Sequence, residues 1–112
     1  MAVLSNLSVD QGSDFSAEVV VEDSTGNIAN LTGYTGAGQI RKTYTSTTAT
    51  NFTAVVSSAT NGVVTISLGN SVTNGMKAGR YVYDVEITKT SNGEKTRVVE
   101  GQITIQPGVT QT

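Results

Sequence analysis

The feature that most constrains the fold is a two-residue alternation of apolar and polar side chains that recurs along the chain. Over residues 14–22 every second side chain is apolar, and only Val20 breaks the pattern. Because successive side chains of a β-strand point to opposite faces, this period predicts a strand with one buried and one solvated face. The apolar positions of this segment are Phe15, Ala17, Val19 and Val21.

A second alternating region predicts a hairpin. Residues 52–57 and 63–68 each alternate, and Asn61-Gly62 lies between them. Asn-Gly is the favoured pair of a type I′ turn because both positions accept a positive φ. We therefore expect the two segments to pair as antiparallel strands, with residues 57–60 widening the loop.

A third region predicts a longer hairpin. Residues 80–88 and 97–105 both alternate, and Ser91-Asn92-Gly93 between them is a turn sequence. We expect the two strands to share one buried face. The first strand is predicted to turn Tyr81, Tyr83, Val85 and Ile87 to one face, and the in-phase set of the second strand is Arg97, Val99, Gly101, Ile103 and Ile105.

The remaining chain adds shorter elements. We expect strands near residues 4–9 and 38–44, a polar loop over 45–51, and at most one helical turn at 71–76 with Ser71 as its N-cap. About seven strands at regular spacing predict a sandwich, because two half-buried sheets must cover one another. The sequence thus predicts an all-β protein.

Composition supports a β-rich fold and disfavours several functions. The 112 residues include 18 Thr and 11 Ser but no Cys, His or Trp. Thr and Val favour strands, and the missing Cys and His remove thiolate chemistry and the commonest acid–base side chain. The net charge of −2 is scattered and gives no basic patch for nucleic acid, and no apolar run is long enough to span a membrane. We expect a single domain over residues 1–112 and no cofactor.

Two acidic residues on one strand, Asp84 and Glu86, are candidates for paired-carboxylate catalysis. A glycosidase needs two carboxyl groups that face each other across a cleft, about 5–9.5 Å apart. Small sandwich faces are usually flat, and Glu86 opposite Lys95 or Arg97 would form a cross-strand ion pair. We therefore expect no catalytic residue in this chain.

Two loops and one basic pair carry weaker signals for ligands. Residues 22–27 offer oxygen atoms but lack the alternating acids of a Ca²⁺ loop, so we interpret them as a solvated turn. Residues 33–38 are glycine-rich but lack the Gly-Lys-Ser/Thr ending of a phosphate loop. We interpret Arg41 and Lys42 as charges that protect a strand edge from unwanted pairing, with contact to nucleic acid or to an acidic partner as the alternative. The sequence predicts no metal site.

Four segments form an ordered series along the chain, namely residues 9–15, 30–34, 39–42 and 78–85. This series resembles small virion structural proteins of tailed bacteriophages, particularly those of marine and cyanobacterial phages. It is also similar to the amino-terminal β-sandwich domain of phage baseplate upper proteins. The resemblance extends over residues 7–106. It implies an Ig-like antiparallel β-sandwich and a role in particle architecture, without a catalytic site.

Two segments of that series also have a physical interpretation. Residues 79–83 look like an Ig-type strand entered from a corner, where a tyrosine hydroxyl bonds back to the backbone. We interpret residues 31–34 as the segment that closes one end of the sandwich. There Gly33 would supply a bend and Tyr34 a partly buried plug.

The resemblance, together with the missing catalytic groups, predicts a non-enzymatic virion protein. We expect a capsid decoration or cement protein that binds the particle through protein–protein contacts, in many copies or as a homo-oligomer. A tail, neck or baseplate adaptor is the alternative within this class, so the partner would be the major capsid protein or a tail or neck protein. The expected location is the virion, assembled in the host cytoplasm. Neither nucleic acid nor a membrane is an expected partner.

A carbohydrate- or cell-surface-binding module is the alternative from another class. β-Sandwiches often bind sugars through exposed aromatic side chains, and this chain has four Tyr and no Trp. Because Tyr81 and Tyr83 are expected to point into the core, Tyr44 is the candidate sugar contact.

The two ends of the chain are the predicted assembly contacts, with the loop over 45–51 as a further candidate. Residues 1–4 carry no basic segment, so we expect no signal peptide. The polar tail 106–112 contains Pro and Gly, and such tails fray unless something holds them. We expect a neighbouring subunit to hold one or both ends. The predicted contacts are Met1, Ala2, Val3, Leu4, Gln106, Pro107, Gly108, Val109, Thr110, Gln111 and Thr112.

Overall fold

The computed structural model describes residues 3–23 and 25–109, which consist mostly of strands and turns. The all-β prediction is confirmed, and a short helix lies where the sequence predicts a helical turn. Within these two ranges no helix is long and apolar enough to cross a membrane. The elements in chain order are β1 (Val3–Leu4), β2 (Leu7–Asp10), β3 (Phe15–Val20), β4 (Tyr34–Arg41), β5 (Thr50–Ser58), a 3₁₀ turn (Ala59–Asn61), β6 (Val63–Leu68), α1 (Asn70–Gly75), β7 (Gly79–Lys89) and β8 (Lys95–Gln106).

The strands form an Ig-like, mainly antiparallel sandwich in which β5 belongs to both sheets. The strand order is β1–β8–β7–β4–β5–β6–β3, and β2 also pairs with β8. The start of β5 pairs with β4 through Phe52 and Gly38, whereas residues 53–58 pair with β6. β1 and β2 run parallel to β8, and the other paired strands are antiparallel. The predicted first strand is therefore present but divided in two, which gives eight strands in place of about seven.

The alternation in the sequence decides which side chains enter the core. β6 buries Val64, Ile66 and Leu68, as the two-residue period predicts, and Val20 is an exposed side chain of β3. Burying one such aliphatic side chain stabilises a fold by about 1.5–3 kcal/mol. The buried apolar side chains are Val9, Val21, Leu31, Ile40, Phe52, Val64, Ile66, Leu68, Met76, Tyr83, Val85, Ile87, Val98, Val99, Ile103 and Ile105.

The centre of the sandwich is an aromatic cluster that needs a glycine beside it. The centroid of the Phe52 ring lies 6.4 Å from that of Phe15 and 5.9 Å from that of Tyr83. A Cβ at Gly38 would lie 2.9 Å from Cδ2 of Phe52 and 3.1 Å from the carbonyl oxygen of Asp84. The glycine therefore lets the Phe52 ring pack directly against β4.

A β-bulge changes the predicted phase of β8. Val85 pairs with Val99. The next pair joins Glu86 to Arg97, which leaves Val98 without a partner. Val98 is buried, and the side chain of Arg97 is 52% exposed. The expectation of unbroken alternation from Arg97 to Ile105 is therefore wrong, because one extra residue in a strand exchanges the two faces on one side of it.

The hairpin of β5 and β6 is confirmed, but its connection is not a type I′ turn. Ala59–Asn61 forms a 3₁₀ turn, and Gly62 takes the left-handed conformation with a φ of 66°. No non-glycine residue of the described ranges has a positive φ, so Asn61 does not supply the second left-handed position of a type I′ turn. The reason is loop length, because the extra residues predicted to widen the loop wind into a 3₁₀ turn before the glycine reverses the chain.

The cap of α1 comes from a different part of the chain than the sequence suggests. The N-cap position is Gly69, which has no side chain, and Ser71 lies inside the helix. The backbone N–H of Asn70 donates a hydrogen bond to Oδ1 of Asp14 at 2.7 Å. The expectation that Ser71 caps the helix is therefore wrong, since a carboxylate from the loop before β3 takes that role.

The same helix is held to that loop by a buried hydroxyl. Thr73 is fully buried, and its Oγ1 donates to the carbonyl oxygen of Ser13 at 2.8 Å. Oγ1 of Thr73 also accepts a hydrogen bond from the N–H of Gly12 at 3.1 Å. A polar group is thus buried with its donor and acceptor capacity in use, which is the condition for burying it without a large penalty.

The strand predicted at 38–44 has different limits in the structure. β4 starts earlier, at Tyr34, and ends at Arg41, so Lys42 to Tyr44 lie outside it. The chain turns there, because the N–H of Ser46 donates to the carbonyl oxygen of Thr43 at 3.1 Å. The guanidinium of Arg41 also donates to the carbonyl oxygen of Ser46, which fixes the turn to the strand end.

The two structural details expected from the 79–83 and 31–34 segments are confirmed. The hydroxyl of Tyr81 donates to the carbonyl oxygen of Lys77 at 2.7 Å, which is the tyrosine corner of an Ig-type sandwich. Gly33 takes a φ of 84°, and Tyr34 after it is partly buried against the core.

Candidate functional site

The predicted terminal contacts lie at two separate points along β8. Leu4 pairs with Glu100 in the middle of β8, and Asp10 pairs with Gln106 at its carboxyl end. Glu100 and Gln106 are six positions apart, which at about 3.3 Å per residue is roughly 20 Å. The structure therefore does not bring the two predicted contact segments together. Met1, Ala2, Thr110, Gln111 and Thr112 lie outside the described residues.

Both ends expose an apolar side chain. The side chain of Leu4 is 75% exposed, and that of Val109 is 99% exposed. Exposed apolar side chains mark a protein contact when they group into a patch, whereas single ones are ordinary on a protein surface. Leu4 and Val109 are single exposed side chains, so a contact at either of them stays a prediction.

One glutamine holds the start of the tail against the sandwich. The N–H of Gln11 donates to the carbonyl oxygen of Gln106 at 2.9 Å. Oε1 of Gln11 accepts a hydrogen bond from the N–H of Gly108 at 3.3 Å, and Nε2 donates to the carbonyl oxygen of Met76 at 2.7 Å. The tail up to Gly108 thus has partners within its own chain. A contact of the tail with a neighbouring subunit stays a prediction.

The outer face of the β5–β4–β7–β8 sheet carries a concave polar surface that we name the outer-face cleft. It consists of two depressions of about 200 and 510 Å³ that share Gln39, Asp84 and Glu86 as lining residues. Ala37 lies between these longer side chains, and its small size leaves the space open. The expectation of a flat face over Asp84 and Glu86 is therefore wrong.

Arg97 joins two carboxylates on this face. Its Nε lies 3.2 Å from Oδ2 of Asp84, and its Nη1 lies 3.6 Å from Oε2 of Glu100. The predicted ion pair of Arg97 with Glu86 is wrong, although the two residues are paired in the strand register. The guanidinium instead reaches Asp84, two residues before Glu86 on β7, and Glu100, three residues further along β8.

A second chain of hydrogen bonds crosses the cleft from β4 to β5. Nη2 of Arg41 donates to Oε1 of Gln39 at 3.0 Å, and Nε2 of Gln39 donates to Oδ1 of Asn51 at 3.0 Å. Tyr44 follows the end of β4, lines the smaller depression together with Arg41 and Gln39, and is 79% exposed. The cleft therefore combines fixed polar side chains with one exposed aromatic ring.

The charges of the cleft balance. Three basic side chains, Arg41, Lys95 and Arg97, line it together with three acidic ones. The acidic side chains are Asp84, Glu86 and Glu100. A surface with equal numbers of both signs has no strong preference for a charged polymer.

The carboxylates of the cleft are not arranged like the acid pair of a glycosidase. Asp84 and Glu86 are neighbours along one strand, whereas glycosidases place two carboxyl groups on opposite sides of the scissile bond. Asp84 lies opposite Glu100 in the register, but Arg97 contacts both carboxylates. The guanidinium thus occupies the position between them that a substrate would need.

The loop considered as a Ca²⁺ site uses its carboxylate internally. Oδ1 of Asp23 accepts hydrogen bonds from the N–H and the hydroxyl of Thr25 and from the N–H of Asn27, at 2.9, 2.6 and 3.1 Å. These bonds, the Thr25 hydroxyl first, lower the pKa of Asp23 below its usual range. Within residues 3–23 and 25–109, no three side chains of the metal-binding types form a group that could hold a metal ion.

The lysine of the basic pair has partners on β7. Nζ of Lys42 lies 4.8 Å from the centroid of the Tyr81 ring and donates to the carbonyl oxygen of Arg80 at 3.1 Å. Lys42 thus covers the tyrosine corner, whereas Arg41 faces the cleft.

Comparison with known proteins adds little to this geometry. The sequence matches no model of a protein family and no curated protein. Among solved structures, the chain is similar to a family 123 glycoside hydrolase from Clostridium perfringens, with a TM-score of 0.45 and 11% sequence identity. The similarity covers 96% of this chain but only 23% of that enzyme, and it is too low to assign a function. The fold defines the class of the chain as an all-β, Ig-like sandwich.

Proposed function

We propose that this chain is a structural component of a tailed-bacteriophage virion, of the capsid decoration or cement type. Its role is non-enzymatic, and it binds the particle surface through protein–protein contacts in many copies. The ordered series of segments that resembles phage virion proteins supports this proposal, since it extends over residues 7–106 and therefore over β2 to β8. The partner in this proposal is the major capsid protein.

The structural observation that carries the proposal is the separation of Leu4 from Val109. Leu4 is exposed beside the middle of β8, and Val109 is exposed three residues beyond its carboxyl end. A cement protein has to contact at least two neighbouring subunits of a lattice. A rigid sandwich with two separated contact points suits that task, because the hydrogen-bonded sheet fixes the distance between the points.

A tail, neck or baseplate adaptor is the second candidate within the same class. It needs the same two contact points, but its partners form a ring at one vertex or along the tail instead of a lattice. The position of the chain on the particle therefore separates the two roles.

A cryo-electron microscopy map of the purified virion tests the proposal directly. We expect density for the sandwich across the capsid lattice, with Leu4 and the 106–109 segment each in contact with a different capsid subunit. Density confined to the neck or baseplate would replace the cement role with the adaptor role. Absence of the chain from the particle would reject the virion assignment.

A rebinding assay tests the two contact points. Leu4→Ser and Val109→Ser should each weaken binding of the purified protein to particles that lack it, by about tenfold if each side chain is buried in the contact. Val55→Ser is the matched control, because Val55 is 52% exposed on β5, away from both ends. Equal weakening by all three substitutions would contradict the assignment of the contacts.

A further inference from the structure

We infer that the outer-face cleft is a binding site for an uncharged oligosaccharide. The inference goes beyond the proposed structural role, because a protein that only cements a lattice needs no ligand site on a sheet face. It is supported by the shape of the cleft, by the hydrogen-bonding groups along it, by its charge balance and by the exposed aromatic ring at one end.

The shape of the cleft is suited to an elongated ligand. Its larger depression, of about 510 Å³, is within the range of about 300–1,000 Å³ that small-molecule sites occupy. The smaller depression continues it along the sheet, because both share Gln39, Asp84 and Glu86. A short chain of sugar rings can lie along this path from Tyr44 to Lys95.

The polar side chains are held in place before any ligand arrives. Arg97 is fixed by two carboxylates, and Gln39 is fixed between Arg41 and Asn51. Fixed side chains lose less conformational freedom when a ligand binds, so more of the interaction energy appears as affinity.

The cleft offers both donors and acceptors, which is what sugar hydroxyl groups require. Glu86 lines both depressions, and its carboxylate takes part in no hydrogen bond or ion pair within the described part of the chain. Its carboxylate is therefore available to accept from one or two hydroxyl groups, and charge-assisted hydrogen bonds of this kind are among the stronger ones. Lys95, at the far end of the larger depression, can donate.

The charge balance selects the class of sugar. With three basic and three acidic side chains, the lining attracts neither a sulfated nor a sialylated polymer. A neutral oligosaccharide pairs its hydroxyl groups with both signs and leaves no charge uncompensated.

Tyr44 supplies the apolar contact. It is 79% exposed beside Arg41, and its ring can cover the C–H face of a sugar ring. The turn that carries it is fixed, because the guanidinium of Arg41 and the N–H of Ser46 both bond to carbonyl oxygens within it.

A glycan array tests the inference with the purified chain. The array carries neutral oligosaccharides of glucose, mannose and galactose together with sulfated and sialylated ones. We expect binding to a subset of the neutral glycans, and the best of them then serves as the probe in calorimetric titration. Binding to no neutral glycan, or a preference for the charged ones, would overturn the inference.

Variants locate the site. Tyr44→Ala and Glu86→Gln should each raise the Kd for the chosen neutral glycan by about tenfold. The matched controls are Ile28→Ala, an exposed apolar side chain, and Glu18→Gln, an exposed carboxylate on β3, and neither should change the Kd. If the controls weaken binding as much as the cleft variants, or if the cleft variants bind normally, the site is not this cleft.

A readout that needs no variant completes the test. On titration with the same glycan, the backbone amide NMR signals of Gln39, Asp84 and Glu86 should shift, and those of β3 should not. Because the assay uses the purified chain, it is independent of the virion map. A chain that is absent from the particle can still bind the glycan, and a cement protein can fail to bind it.

Discussion

The two faces of β7 differ in what they contribute, although they alternate along one strand. Tyr83, Val85 and Ile87 point inward and are at most 5% exposed. Asp84 and Glu86, between them, point outward and line the cleft. The two-residue alternation of β7 therefore specifies a core on one side of the sheet and a polar recognition surface on the other.

The energetic scale of the two faces differs as well. A buried apolar side chain contributes about 1.5–3 kcal/mol, whereas an exposed ion pair contributes about 0–1 kcal/mol. Substitutions on the inner face should therefore lower stability, and substitutions on the outer face should change binding with little effect on stability. The predictions below test this separation, starting with the largest expected effect.

Removing a core side chain should have the largest effect. Tyr83→Ala should lower the free energy of unfolding by about 3–5 kcal/mol, because it leaves a cavity beside Phe52. Glu86→Ala on the same strand should change it by less than about 0.5 kcal/mol. Urea unfolding followed by circular dichroism measures both. Similar losses in the two variants would show that the faces do not differ in this way.

Adding an atom on the inner face should have the next largest effect. Gly101 pairs with Tyr83, and a Cβ there would overlap the carbonyl group of Ser5. Gly101→Ala should therefore cost about 1–3 kcal/mol, since the segment between β1 and β2 has to move. Gly69→Ala is the control, because Gly69 has open space around its Cβ position and a negative φ. Equal thermal stability of the two variants would contradict the close approach at Gly101.

The hydroxyl of Tyr83 makes the stability of the fold depend on pH in the alkaline range. It donates to the carbonyl oxygen of Ser5 at 2.6 Å, and burial raises the pKa of Tyr83 above its usual value. The folded chain then keeps this proton at a pH where the unfolded chain releases it. The stability from this group is present below the unfolded pKa of about 10 and decreases as the pH rises through the folded pKa.

Tyr83→Phe isolates this contribution. The variant should lose about 1 kcal/mol of stability at pH 7, where the hydrogen bond is missing, and its stability should fall less steeply than that of the parent chain above about pH 10. Urea unfolding between neutral and alkaline pH provides the comparison. Parallel profiles of variant and parent would show that Tyr83 titrates alike in both states.

Removing the central cation of the outer face should have the smallest effect. Arg97→Ala should lower the free energy of unfolding by less than about 1 kcal/mol, because the guanidinium is half exposed and solvent screens its ion pairs. The melting temperature at low and high salt measures this contribution. A loss comparable to that of Tyr83→Ala would mean that the outer face, too, determines stability.

Much of the fold could be predicted from the sequence, because it depends on local alternation. The strands around Phe15, Ile66 and Tyr83 and their inward residues follow from the two-residue period. The bulge at Val98 could not be predicted, since it is a property of the register between two strands and leaves no local signal. The cap of α1 could not be predicted for a similar reason, because Asp14 is distant from the helix in sequence.

The candidate site could be predicted only in part. The polar residues of the outer face are the residues that alternate with the apolar ones in each strand, and Tyr44 stands out as a tyrosine that the sequence does not place in the core. The concavity could not be predicted, because it depends on Ala37 of β4 lying beside acidic side chains of β7. The break in alternation after Arg97 leaves no local signal, so the contacts of Arg97 with Asp84 and Glu100 could not be predicted.

The parallel pairing of β1 and β2 with β8 has a consequence for the order of folding during synthesis. Val3 pairs with Val99, and Asp10 pairs with Gln106, so β1 and β2 do not have this partner during synthesis until β8 has been made. Pairing of such distant segments is slow, since a long loop must close before any contact forms. The β3–β6 and β4–β7 pairings join segments that are closer in sequence, so we expect them to form before β1 and β2 pair with β8.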